Sequence, residues 1–185
     1  MATPQLTVTI QSSDREIMVS YRFENRSDEP VLVFCRHSGR HGVDPKLACQ
    51  EIEGWRPALT PADDMPQLII TKAVIALKPG HRIYVPNVPL ALRVEPGDEL
   101  SEEIVESLPV VHYNPHNPFG YDLGLSRVTC RQVAFRLGYA PVAELDPPPR
   151  PLGDQLWRVD MNAALAAQRL LTSELEPGTF PVKLL

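Results

Sequence analysis

The sequence has little cysteine, and its three cysteines form no recognisable pattern. Cys35, Cys49 and Cys130 are odd in number and far apart, with no CxxC pair among them. A disulfide framework favours an even count, so we expect free thiols in a reducing compartment. A chain of 185 residues also buries roughly 70% of the surface that its unfolded form exposes, so its core is large enough without a disulfide or a metal.

The chain also lacks a dense basic cluster and a long apolar run. Its 18 Lys and Arg stand against 23 Asp and Glu, for a net charge of −5, so nucleic acid is not an expected partner. No stretch approaches the ~20 apolar residues of a membrane-spanning helix, and residues 1–5 lack the charged start of a signal peptide. We therefore expect a cytoplasmic protein with no membrane partner.

The common catalytic signatures are missing too. The sequence contains no GxSxG, HExxH, GxGxxG or GxxxxGK[ST] motif. The adjacent carboxylates Glu102 and Glu103 point apart if they lie on a strand, and we expect them in a solvated acidic loop, residues 98–103. The sequence favours a non-enzymatic protein and indicates no cofactor.

What the sequence has in excess is proline, with 20 residues. Proline interrupts helices and cannot donate to a sheet ladder, so short extended elements are favoured. Apolar residues alternate over 6–10 and again over 17–23, with turn-forming residues at 12–14, and this pattern predicts a hairpin. The apolar run 31–35 predicts a strand buried on both faces.

The rest of the chain continues this pattern with one long interruption. Residues 36–66 predict a long connection between sheets, and further strands are predicted at 68–77, 81–85, 88–94 and 104–111. The longest strand, residues 127–139, changes its alternation phase, which predicts a β-bulge near Arg131 and Gln132.

These elements predict a mainly β fold: an antiparallel β-sandwich, immunoglobulin-like or a related Greek key, with a short C-terminal helix. A closed barrel is the alternative, and the Cys-Trp-Cys spacing of antibody domains is absent. We expect the sandwich in residues 1–146. Residues 147–185 are expected to form a polyproline spacer, a helix from 161 to about 171 capped by Asp160, and a last edge strand from 179, with the helix packed on the sandwich or a partner.

The most distinctive stretch for recognition is residues 112–121, which combine aromatic, histidine and Asn-Pro residues. Such side chains are enriched where loops at the end of a sandwich bind ligands. The alternative is a long loop whose aromatic rings cover the core. The candidate ligand-binding residues are His112, Tyr113, Asn114, His116, Asn117, Phe119 and Tyr121.

Two spaced histidine pairs, His37 with His41 and His112 with His116, indicate a possible zinc or copper site. Residues four apart on a strand lie ~13 Å from each other, so only a tight turn would let either pair chelate. Cys35 adjoins the first pair and is either a reactive thiol or a small buried residue.

The favoured function is a non-enzymatic binding or protein-interaction module of unknown ligand, with a protein partner or a second copy bound through an edge strand or the C-terminal helix. The alternative is a metal-binding protein or metalloenzyme that uses the histidine loops.

Overall fold

The computed structural model describes residues 2–39, 50–53, 56–60, 67–74, 88–111, 126–152 and 155–184, and the structural statements below concern that part of the chain. There the fold is mainly β, with one α-helix, α1 (Met161–Ala167), and a 3-10 turn at Val142–Glu144. None of the helical segments in these ranges has the length and apolar character needed to cross a lipid bilayer.

Fourteen strands occupy most of the described residues. They are β1 (Gln5–Ser12), β2 (Glu16–Glu24), β3 (Val31–Gly39), β4 (Gln50–Glu53), β5 (Arg56–Thr60), β6 (Gln67–Lys72), β7 (Val88–Val94), β8 (Glu99–Ser107), β9 (Val110–Val111), β10 (Ser126–Pro141), β11 (Arg150–Pro151), β12 (Leu156–Arg158), β13 (Arg169–Thr172) and β14 (Glu176–Leu184).

The smaller sheet is antiparallel, in the order β1-β2-β8. Its first two strands form the predicted hairpin, with Val8 opposite Tyr21 and Ile10 opposite Val19. The prediction of a loop at residues 98–103 is wrong, because Glu99 begins β8, which pairs with β2 along its whole length. The acidic run is compatible with a strand since β8 lies at an edge, where alternate side chains face solvent.

The larger sheet is mixed and is organised around β10. On one side, β10 pairs directly with β14 in its first half and with β13 in its second half. On the other side, it pairs with β6, in parallel, and with β3 at its C-terminal end. The pairing of β10 with β14 shifts register between Cys130 and Gln132, at the position predicted for a bulge. Two residue steps of β10 there lie opposite three of β14, from Phe180 to Pro177, so the extra residue is on β14 and not on β10 as predicted. Cys130 and Val133 are both buried in the core, so the alternation of β10 changes phase between them as predicted.

Two hydrophobic cores lie on opposite faces of the larger sheet. The first lies between the two sheets and takes residues 17, 19, 21 and 23 of β2 and residues 133, 135, 137 and 139 of β10. The second lies beneath α1 and includes Leu32, Phe34 and Val159 together with three alanines of the helix. Asp160 caps α1 as predicted, since its carboxylate accepts hydrogen bonds from the backbone amides of Asn162 and Ala163.

Several predicted boundaries are wrong. The connection expected at 36–66 contains β4 and β5, and β3 itself continues to Gly39. The helix ends at Ala167 instead of near residue 171, because Gln168 is extended and the next four residues pair with β10. The last strand is not at an edge, since β14 lies between β10 and β9.

The segment after residue 147 is joined to the larger sheet. Arg150 and Pro151, expected in a polyproline spacer, instead pair with β12, which pairs in turn with β7. The division of the chain at residue 147 stays a prediction.

Candidate interaction surface

The seven candidate ligand-binding residues, at 112–121, lie outside the described residues. His41 does so as well, and only the backbone of His37 is described, in β3. The ligand-loop and metal hypotheses therefore stay predictions. In the described ranges, no group of three or more histidine, cysteine or acidic residues is arranged to hold a metal ion.

The smaller sheet has two edge strands, β1 and β8. Strand β1 pairs with β2 on one side, and among the described residues its backbone pairs with nothing on the other side. A strand in this position presents a row of unpaired N–H and C=O groups to another chain. We refer to this open side of Gln5–Ser12 as the β1 edge.

The β1 edge differs in charge from the opposite edge of the same sheet. Strand β1 has the sequence QLTVTIQS, without a charged residue, proline or glycine. Threonine, valine and isoleucine are strong strand formers. Strand β8 instead has the sequence ELSEEIVES, with four glutamates, and charged side chains on an edge discourage pairing with another strand. The two edge strands of the smaller sheet therefore differ in charge, with four glutamates on β8 and no charged residue on β1.

The side chains of β1 continue the two faces of the sheet to its rim. Leu6, Val8 and Ile10 are half-buried and pack against the core between the sheets. Thr7 and Thr9 are exposed on the opposite face, where they line a shallow groove of about 470 Å³ with Ser20, Arg22, Ser101 and Glu103. A strand added at this edge would extend an apolar face on one side and a hydroxyl-rich face on the other.

A polar cluster of Lys72, Glu102 and Tyr21 joins the two sheets. Lys72, the last residue of β6, has a side chain that is only 3% exposed and forms an ion pair with Glu102 of β8. The hydroxyl of Tyr21, opposite Glu102 in the β2–β8 ladder, donates a 2.7 Å hydrogen bond to the same carboxylate. The sequence did not predict this cluster, because Glu102 was assigned to a loop. The signal that could have revealed it is an acidic residue at a strand position that faces the core.

The environment of Tyr21 determines its protonation. Burial raises the pKa of Tyr21 above its usual value, and the hydrogen bond to the Glu102 carboxylate raises it further. The ring also stacks on Phe135, with centroids 4.8 Å apart. The Tyr21 phenol therefore remains a proton donor at neutral pH and ties the small sheet to the large one.

The raised pKa predicts how stability changes in alkali. Above about pH 10, the ordinary pKa of tyrosine, the phenol ionises in the unfolded chain but not in the native one, so stability falls by up to about 1.4 kcal/mol per pH unit. The difference in free energy of unfolding between the native sequence and Tyr21→Phe should be constant up to pH 9. At higher pH the native sequence should lose stability relative to Tyr21→Phe, with a slope that approaches this value above about pH 10. Urea titrations across this pH range test it, and a constant difference contradicts it.

Cys35 and Cys130, the two cysteines in the described part of the chain, are both buried. Cys35 is 5% and Cys130 is 0% exposed, so burial favours the small buried residue of the two alternatives for Cys35. The Cys35 Sγ lies 3.6 Å from the carbonyl oxygen of Leu90, and burial raises the pKa of Cys130. A raised pKa keeps a thiol in its unreactive protonated form.

The fold and surface define a mainly β protein with two packed sheets, one of which has an uncharged open edge. Comparisons of the chain with models of protein families, with curated proteins and with solved structures gave no match.

Proposed function

We propose that this protein is a non-enzymatic, cytoplasmic interaction module, a β-sandwich of immunoglobulin-like or related Greek-key type, that binds an extended protein segment along the β1 edge. The observation that supports the proposal is the combination of eight uncharged strand residues with no pairing on their open side in the described part. A fold of this kind does not define a function by itself, so the proposal depends on the β1 edge.

Strand addition explains how this surface would bind. Backbone hydrogen bonds to the edge provide affinity, and alternate side chains provide selectivity. One set of partner side chains would lie beside the apolar row of Leu6, Val8 and Ile10, and the other beside Thr7 and Thr9. The favoured partner segment therefore alternates apolar residues with small uncharged polar ones.

A second copy of this chain offers such a segment, because β1 itself alternates in this way. Two β1 strands paired antiparallel about a twofold axis would join the three-stranded sheets of both copies into one continuous sheet. No like charges would face each other across that pair, whereas pairing through β8 would bring glutamates together. We therefore propose a homodimer through β1 as the partner state.

The double variant Thr7→Lys/Thr9→Lys tests the proposal. Both residues are exposed on the outer face, so the fold should tolerate lysine there. In the dimer, four lysines would lie close together on the two paired β1 strands, and like charges brought together at an interface cost several kcal/mol. We expect the dimer dissociation constant to rise at least about ten-fold, measured by sedimentation velocity over the micromolar range.

Ser101→Lys is the matched control. It makes a similar polar-to-lysine change on an exposed position of the same sheet, but on the β8 edge. This variant should dimerise like the native sequence. A native protein that sediments as a monomer, or a control that dissociates as much as the β1 variant, contradicts the proposal.

A further inference from the structure

Two arginines face each other at the end of the larger sheet. Arg150 of β11 lies directly opposite Arg158 of β12 in an antiparallel ladder. Pro151 pairs with Trp157 next to them, and the amide of Leu152 donates a 2.8 Å hydrogen bond to the carbonyl of Leu156. Residues directly opposite in such a ladder have Cβ atoms about 4.5–5.5 Å apart, and like charges placed there repel. The hairpin therefore holds two positive charges together.

In the described part of the chain, neither guanidinium has a carboxylate or hydroxyl partner. Arg15 has none there either, but it lies in the exposed β1–β2 turn with no second arginine opposite it in a ladder. Six other arginines do have one there. Four pair with glutamates: Arg22 with Glu99, Arg26 with Glu24, Arg93 with Glu95 and Arg169 with Glu144. Two donate to threonine hydroxyls: Arg131 to Thr179 and Arg136 to Thr172.

The absence of a partner is notable because the chain carries five more acidic than basic residues. Two like charges held opposite each other, with no carboxylate or hydroxyl partner in the described ranges, are an arrangement that an anionic ligand would stabilise.

A cavity of about 410 Å³ lies beside the pair, and both arginines line it. That volume is in the range of small-molecule sites. Its remaining wall is largely apolar: Val88, Pro147, Pro148, Val159 and Met161. Asp160 also lines the cavity, but one oxygen of its carboxylate accepts the amides of Asn162 and Ala163 at 2.9 and 3.1 Å. The cavity thus combines two arginines and one carboxylate, for a net positive charge, with an otherwise apolar wall.

We propose that this cavity binds a small organic phosphate, with the phosphoryl group between Arg150 and Arg158 and the apolar part of the ligand against Pro147 and Met161. With the Asp160 carboxylate in the wall, the two guanidinium groups still leave a net positive charge, and each presents paired N–H donors with the geometry of phosphate oxygens. A phosphoryl group has three terminal oxygens, enough to accept paired hydrogen bonds from both guanidinium groups, whereas a carboxylate has two. The site is separate from the β1 edge and does not depend on it.

Phenyl phosphate is a suitable probe because it joins a dianion to a small apolar ring. We expect calorimetric titration to show binding to the native protein, with inorganic phosphate weaker and phenol not bound. Arg150→Gln and Arg158→Gln should each weaken phenyl phosphate binding about ten-fold or more, since a hydrogen bond to a charged group contributes about 1.5–3 kcal/mol. Higher salt should weaken binding as well.

Arg15→Gln is the matched control, because Arg15 is an exposed arginine in the β1–β2 turn and loses the same charge on substitution. It should leave the affinity unchanged. Thermal melting in parallel checks the fold: phenyl phosphate should raise the melting temperature of the native protein and of Arg15→Gln more than that of either cavity variant. The proposal is overturned if the native protein does not bind phenyl phosphate, if Arg15→Gln loses as much affinity as the cavity variants, or if benzoate binds as tightly.

Discussion

Replacing Phe135 with alanine is expected to lower the free energy of unfolding by about 3–5 kcal/mol, the largest effect that we predict for a single core substitution. Phe135 is fully buried in the middle of β10, between the two sheets. Its ring stacks on Tyr21 of the smaller sheet, and its backbone lies opposite Ile70 of β6. Alanine would leave a cavity at the point where the smaller sheet packs on the larger one.

Urea denaturation of the native sequence and of Phe135→Ala measures this loss. Leu170→Ala provides the comparison, because Leu170 is on β13, which also pairs with β10, but is 49% exposed. That variant should lose less than about 1 kcal/mol. A similarly small loss for Phe135→Ala would contradict the packing of the two sheets around this ring.

The side-chain period predicted the parts of the fold that depend on which face is buried. The hairpin of β1 and β2 follows from two alternating runs and a polar turn, because one-residue slips would expose the apolar row. The same rule predicted the irregularity near Arg131 and Gln132, since strict alternation would not bury both Cys130 and Val133, but it placed the extra residue on β10 and not on β14.

Pairing partners were not predictable in this way. Alternation states which face of a strand is buried but not which strand lies beside it, so the parallel pairing of β6 with β10 had no signal in the sequence. The strand character of residues 99–103 was hidden because glutamate is uncommon in strands, and only its position at an edge allows it.

Only part of the interaction surface could be predicted from the sequence. The uncharged composition of β1 could be predicted from residues 5–12, but its open side depends on the order of the smaller sheet. The arginine pair was likewise invisible, because it requires β11, which was assigned to a polyproline spacer. The ion pair of Lys72 with Glu102 joins residues 30 positions apart, and no local pattern relates them.

Neutralising Glu102 is expected to have the second large effect. In Glu102→Gln, the amide can still accept a hydrogen bond from Tyr21, but Lys72 loses its counter-charge while its side chain remains 3% exposed. Removing one partner of a buried pair typically costs 3–5 kcal/mol. Because Glu102 is 40% exposed and partly solvated, we expect about 2–3 kcal/mol in the free energy of unfolding, measured in urea at neutral pH.

Two further variants separate the charge effect from a general loss of packing. Glu103→Gln removes the neighbouring carboxylate, which points to the outer face near Ser20, and should cost less than about 0.5 kcal/mol. The double variant Lys72→Met/Glu102→Gln removes both charges and should recover most of the loss, because an uncharged side chain of similar length then fills the site. If the double variant is as unstable as Glu102→Gln alone, the cost does not come from the buried ammonium group and this account of the cluster is wrong.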